Sequence, residues 1–258
     1  AKVWMISTPL GRNWFYEAYM WGKDEDMPEW QSFHTPSTES PLIGKKLDMI
    51  QKRTPKNIFE QEYLAKFTDS SGGAFFGIGN CEDNYQVPIP FKKEKTYICG
   101  VDLARKNDFT VIIVLDDNNR VVYMDRCQDV GFEQQKVRIK AASRKYGDCP
   151  VWIDATAMGS SVFEALRGEG LNIQGVNLDY KTKSEIVQHL GFIIETEDVT
   201  YPLGSVLVEE LQAYEFKRSP SGLVKYEAAS GFHDDTVIAL ALAVWGKRSS
   251  GGTGLWVF

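Results

Sequence analysis

Asp102 closes the apolar run YICGVD (97–102), and Asp154 closes a second, VWID (151–154). The pair Asp234–Asp235 opens a third, DTVIALALAVW (235–245). A carboxylate buried beside such sequence costs several kcal/mol unless something neutralises it. No Arg or Lys stands inside those runs to do so. Three acidic positions at three element ends therefore point to bound divalent cations.

The chemistry such a set supports is phosphodiester cleavage. Two Mg2+ or Mn2+ ions held about 4 Å apart by carboxylates activate a water and stabilise the leaving oxygen. Hard cations need oxygen ligands and open positions for water and phosphate, which Asp supplies and His or Cys does not. Asp102, on a central strand, is the natural ligand shared by both ions. Asp154 then holds one ion, and Asp234 or Asp235 the other. The plainer alternatives are a solvent-facing strand acid at Asp102 and a helix N-cap at Asp234, and capping suits one member of the Asp234–Asp235 pair. Lys183, at a helix start, is a candidate contact for the scissile phosphate or a solvated lysine. Asp108 is an acid behind the ligands or a turn residue. His233 titrates beside the acid pair or lies on the surface.

The elements that must bring these residues together follow from local pattern. Lys2–Ser7 alternates as a strand, Asn13–Trp21 has the aromatic density of a short helix, and Gly22–Ser40 is a Pro-punctuated loop. Helical patterns cover Ile43–Lys52 and Asn57–Phe67, and 80–95 is a linker. From Thr96 the pattern is strands 96–104, 110–115 and 120–127, the second and third joined by the turn Asp117–Arg120. Helix 132–146, strand 151–154, helix 160–168, strand 172–178 and helices 181–194 and 204–214 follow. A Ser-Pro-Ser-Gly hairpin (219–222) and a last helix, 233–247, end the order. Three antiparallel strands followed by alternating helix and strand describe an α/β fold: a ribonuclease H-like mixed β-sheet flanked by helices, preceded by a small mostly helical segment. There the ends of the first and fourth strands and the start of the final helix meet at one sheet edge, where Asp102, Asp154 and Asp234/Asp235 fall. The expected domains are 1–75, the mostly helical segment; 76–95, a linker; 96–248, the ribonuclease H-like domain; and 249–258, a flexible Ser/Gly tail.

A net charge of −6 argues against a strongly basic nucleic-acid coat but leaves room for a local groove. Arg105–Lys106, the helix bearing Arg138, Lys140, Arg144 and Lys145, and Lys217, Arg218 and Lys225 around the hairpin are candidates to meet DNA phosphates. Each cluster alone is more often a solvated face. The four cysteines show no metal-like spacing and read as buried thiols of a reducing compartment. With no long apolar span and no signal peptide, a cytosolic chain with no membrane partner is expected. Its strand-like opening suggests a fragment of something longer.

The motifs together resemble the nuclease domain of the large terminase subunit of tailed bacteriophages. ICGVDLARKNDFT (98–110) is similar to that family's first-strand signature, VWIDATAMGS (151–160) to its second acid, and GFHDDTVIALALA (231–243) to its final acidic helix. MISTPLGRNWFYEAYMWG (5–22) resembles the end of the family's ATPase domain, and FEQEYLAKFTDSSGGAFF (59–76) the stretch leading into the nuclease. The resemblance implies a two-metal endonuclease that cuts concatemeric DNA in the host bacterial cytoplasm. It also implies double-stranded DNA, a small terminase subunit and the portal protein of the procapsid as partners. One departure matters: no GxxxxGK[ST] phosphate loop occurs in the 258 residues, so this chain is expected to cut DNA without hydrolysing ATP. The alternatives are a resolvase- or transposase-type nuclease, a sugar-kinase-type phosphotransferase, which lacks its Gly-Thr-rich loops here, and a docking module whose acids are inert.

Overall fold

Val and Ile concentrate in the strands because branched side chains pack well on a pleated, half-buried surface. The computed structural model describes residues 2–9, 14–43, 46–52, 54, 56–67, 71–103, 109–156, 158–218 and 224–250. Its elements begin with helices α1 (Trp14–Trp21), α2 (Leu47–Gln51) and α3 (Lys56–Glu62) and the short strands β1 (Ser71–Gly73) and β2 (Glu82–Asp83). Strands β3 (Tyr97–Asp102), β4 (Thr110–Asp116) and β5 (Val121–Cys127) follow. Next come α4 (Phe132–Lys145), β6 (Val151–Asp154), α5 (Met158–Gly168), β7 (Ile173–Val176) and α6 (Tyr180–Glu195). The chain ends with β8 (Tyr201–Pro202), α7 (Val206–Ala213), the hairpin β9 (Tyr214–Arg218) and β10 (Val224–Ala228), and α8 (Asp235–Ser250).

Two compact units form: Ala1–Gly73 with Glu215–Lys225, and Ala74–Tyr214 with Tyr226–Phe258. In the first, Tyr16 and Tyr19 of α1 pack their rings on Phe67, at 5.0 and 5.1 Å between centroids. β9 pairs antiparallel with β1, Gly72 opposite Phe216, which groups the hairpin arms with this unit. The strand expected over Lys2–Ser7 does not form. Residues 2–9 hold no regular element, and Val3, Trp4 and Ile6 stand exposed. An alternating pattern makes a strand only where a second strand accepts its hydrogen bonds, and none does so here among the described residues.

The second unit is built on a five-stranded sheet of order β5-β4-β3-β6-β7. β3 pairs antiparallel with β4, and β4 with β5, as the short turns require; β6 and β7 join in parallel after helical crossovers. This is the ribonuclease H-like mixed sheet with helices on both faces. On one face Cys99, Val101, Ile112, Val114, Val151 and Ile153 pack with Ile139 and Ala142 of α4, Tyr146 just after it, and Val162 and Leu166 of α5. Each such side chain contributes roughly 1.5–3 kcal/mol through burial. The opposite face carries α8. That helix is apolar all round because α6 and α7 cover its outer side while β3, β4 and β6 lie beneath it. Its approach is close: a Cβ on Gly100 of β3 would lie 2.0 Å from the Ala239 carbonyl oxygen. At its far end Lys247 donates to the Asp117 carbonyl and to Asn119 Oδ1, fixing the helix lengthwise.

Candidate metal centre

Strand periodicity decides where the first two acids point. Cys99 and Val101 face α4 and α5, so Gly100 and Asp102 face α8. Val151 and Ile153 likewise face α4 and α5, leaving Trp152 and Asp154 on the α8 side, where a Cβ on Gly246 of α8 would strike the Trp152 ring. The parallel register sets Gly100 opposite Trp152 and Val101 opposite Ile153, so Asp102 and Asp154 end adjacent strands at the same level. Both are partly exposed. Asp154 Oδ1 accepts the Thr156 N–H at 2.8 Å, which turns the chain out of β6.

The remaining acids come from the start of α8. The Asp234 carbonyl accepts the Ile238 N–H at 2.9 Å, so Asp234 occupies the capping position. The Thr236 N–H, which an Asp234 cap would take, donates instead to Glu210 Oε2 of α7 at 2.9 Å, and the Thr236 hydroxyl donates to the same oxygen at 2.6 Å. Glu210 does the capping from outside the helix, and Asp234 is left to face the cleft. Sequence reasoning missed Glu210. Its signal was there: α7 buries Leu207, Val208, Glu210 and Leu211 on one face, and an acid on an apolar face needs a partner. Asp235 is buried, and its Oδ2 accepts the Phe109 N–H at 3.3 Å, with His233 Nδ1 at 3.6 Å.

Lys183 arrives from the first turn of α6, a helix started by Asp179, whose side chain accepts the Thr182 N–H. Its Nζ lies 3.0 Å from Asp234 Oδ2, with both side chains about one-third exposed. Asp102, Asp154, Asp234, Asp235 and Lys183 line one cleft of about 300 Å³ together with Leu103, Thr156, Leu178 and Ile238. Four carboxylates facing one lysine leave a negative excess. Desolvation, then Asp235, Asp154 and Asp234, push the Asp102 carboxyl well above the usual carboxylate range, and Lys183 offsets this only in part. Burial, with Asp234 and Asp102 nearby, also drives the Tyr214 phenol far above its ordinary value.

This donor set fits hard divalent cations: all oxygen, strongly anionic and open on one side. No three acidic, imidazole or thiol groups among the described residues are gathered closely enough to hold an ion by themselves, so water or phosphate oxygens would complete the coordination. Asp234, Asp154 and Asp235 meet the Lys183 ammonium, the Thr156 N–H and the Phe109 N–H respectively. Open coordination positions are what water and a phosphate oxygen occupy in a catalytic site.

Other candidates are distributed differently. Arg105, Lys106, Asp108 and the hairpin tip at 219–223 lie outside the described residues, as does the side chain of Arg218. Lys217 and Lys225 are exposed in the first unit. On α4 Arg138 makes a two-pronged pair with Asp125, and Lys136 and Lys140 clasp Glu169, while Arg144 and Lys145 are exposed. His233 is neither a lone surface histidine nor a central group; its ring meets Phe109 edge-on at 5.1 Å.

Comparison with known proteins places this geometry. A sequence model of the family described as "Terminase RNaseH-like domain" matches residues 99–245. The large terminase subunit of Thermus virus P23-45 is 28% identical over 269 residues, covering 93% of this chain and 54% of that protein. The chain thus spans about half the length of the large subunits that it matches along most of its sequence. The crystal structure of the large terminase nuclease from thermophilic phage G20c with bound magnesium superposes with a TM-score of 0.63 at 26% identity. It covers 67% of this chain and 96% of that one, and the form with bound cobalt gives the same values.

Proposed function

The chain belongs to the terminase RNase H-like domain family, and from that premise we propose that it is a metal-dependent endonuclease that severs concatemeric double-stranded viral DNA during genome packaging. The observation that supports this most is the convergence of Asp102, Asp154, Asp234 and Asp235 on one open cleft with Lys183 as its lone lining cation among the described residues. Bound Mg2+ or Mn2+, two ions in this reading, supplies Lewis acidity at the phosphate and an ionised water at neutral pH. The chain's own residues do the rest. Asp102 would be the ligand shared by both ions, because it ends the central strand β3 beside Asp154 of β6 and faces the start of α8. Asp154 would hold one ion from β6, and Asp234 or Asp235 the other from the start of α8. Lys183, 3.0 Å from Asp234 Oδ2, would steady that carboxylate and could offer a phosphate oxygen a charge-assisted contact. The Glu210 cap keeps the first turn of α8 from consuming the acid pair.

DNA is the substrate in this reading, and Arg105, Lys106, Lys217, Arg218 and Lys225 are the proposed backbone contacts. The small terminase subunit and the portal protein are the proposed partners during phage assembly in the host bacterial cytoplasm. Incubating supercoiled plasmid with the purified chain tests the reading. Mn2+ or Mg2+ should yield nicked and linear DNA, and EDTA should prevent it. Cutting that persists in EDTA, or intact plasmid with either metal, refutes it.

A further inference from the structure

Behind Asp235 lies a cluster that the proposed chemistry does not use. Glu210 is 3% exposed, yet it carries a carboxylate. Its Oε2 takes both donors of Thr236, the residue after Asp235, while its Oε1 accepts from Arg126 Nη2 of β5 at 3.0 Å. The Arg126 guanidinium carbon in turn sits 3.3 Å from the centre of the Phe109 ring. Phe109 is the residue whose N–H donates to Asp235 Oδ2. Asp235 is therefore held from two sides, through the backbone that follows it and through the donor on its carboxylate. Both holds trace back to the one Arg126–Glu210 pair.

As a stabilising device the pair is costly. Taking two charges out of water is repaid only by complete hydrogen bonding, and the buried Arg126 Nε–H finds no partner among the described residues. What the guanidinium provides that an aliphatic side chain would not is a flat cationic face for the ring, together with a donor for Glu210.

We propose that Arg126 and Glu210 are positioning residues which, through Phe109, set the carboxylate of Asp235 for cation binding. The proposal rests on the metal-centre reading above. Groups that orient metal ligands are commonly worth 10- to 100-fold in metal affinity, and that is the size of effect expected here.

Arg126→Lys keeps the charge beside Glu210 but removes the flat face, and Phe109→Leu keeps the backbone N–H but removes the ring. Affinity for Mn2+, measured by calorimetry or by the loss of the free-ion electron resonance signal, should fall about 10-fold or more in each. The double variant should lose no more than the worse single one, because both changes break the same link. Thermal unfolding identifies folded variants, and plasmid cleavage at saturating Mn2+ should recover more than cleavage at limiting Mn2+. Parental Mn2+ affinity in a folded Arg126→Lys or Phe109→Leu protein overturns the proposal, as do additive losses in the double variant. Loss of fold in both single variants also overturns it, assigning the cluster to stability alone. Should the parent itself bind no Mn2+, the metal-centre reading fails first, and the two failures are told apart by that control.

Discussion

Gly100→Ala is a one-methyl test of how the sheet positions the acids. A Cβ at this position would lie 2.0 Å from the Ala239 carbonyl oxygen, 2.6 Å from the Ala243 nitrogen and 2.9 Å from the Ala243 Cβ. Ordinary contact begins near 3.4 Å, and two of the three obstacles are helix backbone rather than a side chain that could swing aside. Helix α8 must therefore retreat by something over 1 Å. Overpacking of this kind costs about 1–3 kcal/mol, and for a domain of this size each kcal/mol lowers Tm by roughly 2–4 °C. The functional cost should be larger than the thermal one. Gly100 is two residues before Asp102, and Ala239 is one helical turn after Asp235, so the displacement is delivered to the gap between the two acids. A misplacement of about 1 Å typically costs on the order of 100-fold in rate. Plasmid cleavage in Mn2+ and a melting curve on the same preparation measure both. A Gly100→Ala protein that melts a few degrees early but cuts about 100-fold more slowly fits; one that cuts at the parental rate refutes the claim that the β3–α8 approach sets the site.

Asp102→Asn should abolish cleavage and, without metal, raise Tm at neutral pH. The Asp102 carboxyl is held above its unfolded value, so ionising it costs stability that is lost as pH climbs from about 4 upward; near pH 4 the variant and parent should melt alike, and a lower Tm for the variant at pH 7.5 would point to a structural ion pair instead. His189, packed edge-on against Trp245, is pushed down to about 4 by burial and by Arg248. Its unfolded form takes a proton first, so stability should drain away as pH falls from about 6.5 to about 4. His189→Phe should flatten that stretch of the pH–stability curve by up to about 3 kcal/mol, and an unchanged acid limb in urea titrations would contradict it. Replacing Lys217, Arg218 and Lys225 together with Gln should weaken DNA binding and reduce the slope of log K against log salt by up to about 3; a parental slope would move the DNA path away from the hairpin.

Much of this was legible because local pattern and global fold agree along the second unit. The runs ending in Asp102 and Asp154 are strands, and the run after Asp235 is the helix that crosses them. Period-2 alternation alone puts both strand acids on one face. What escaped is what depends on pairing across long separations. The alternation at Lys2–Ser7 could not reveal that no second strand meets it here among the described residues. The sequence left a helix cap as the alternative to ligation at Asp234, and it could not show that Glu210, 26 residues before Thr236, takes the Thr236 N–H. The basic stripe on α4 resembled a DNA-facing surface, but a helix read by itself does not show that Asp125 and Glu169 stand opposite it.

If the four aspartates hold divalent cations, as proposed, calorimetric titration of the purified chain with Mn2+ detects it without reference to DNA. Saturable binding approaching two ions per chain is expected, falling sharply in a folded Asp102→Asn protein and again in Asp154→Asn. Mn2+ binding that is absent from the parent, or that survives unchanged in both variants, would contradict it.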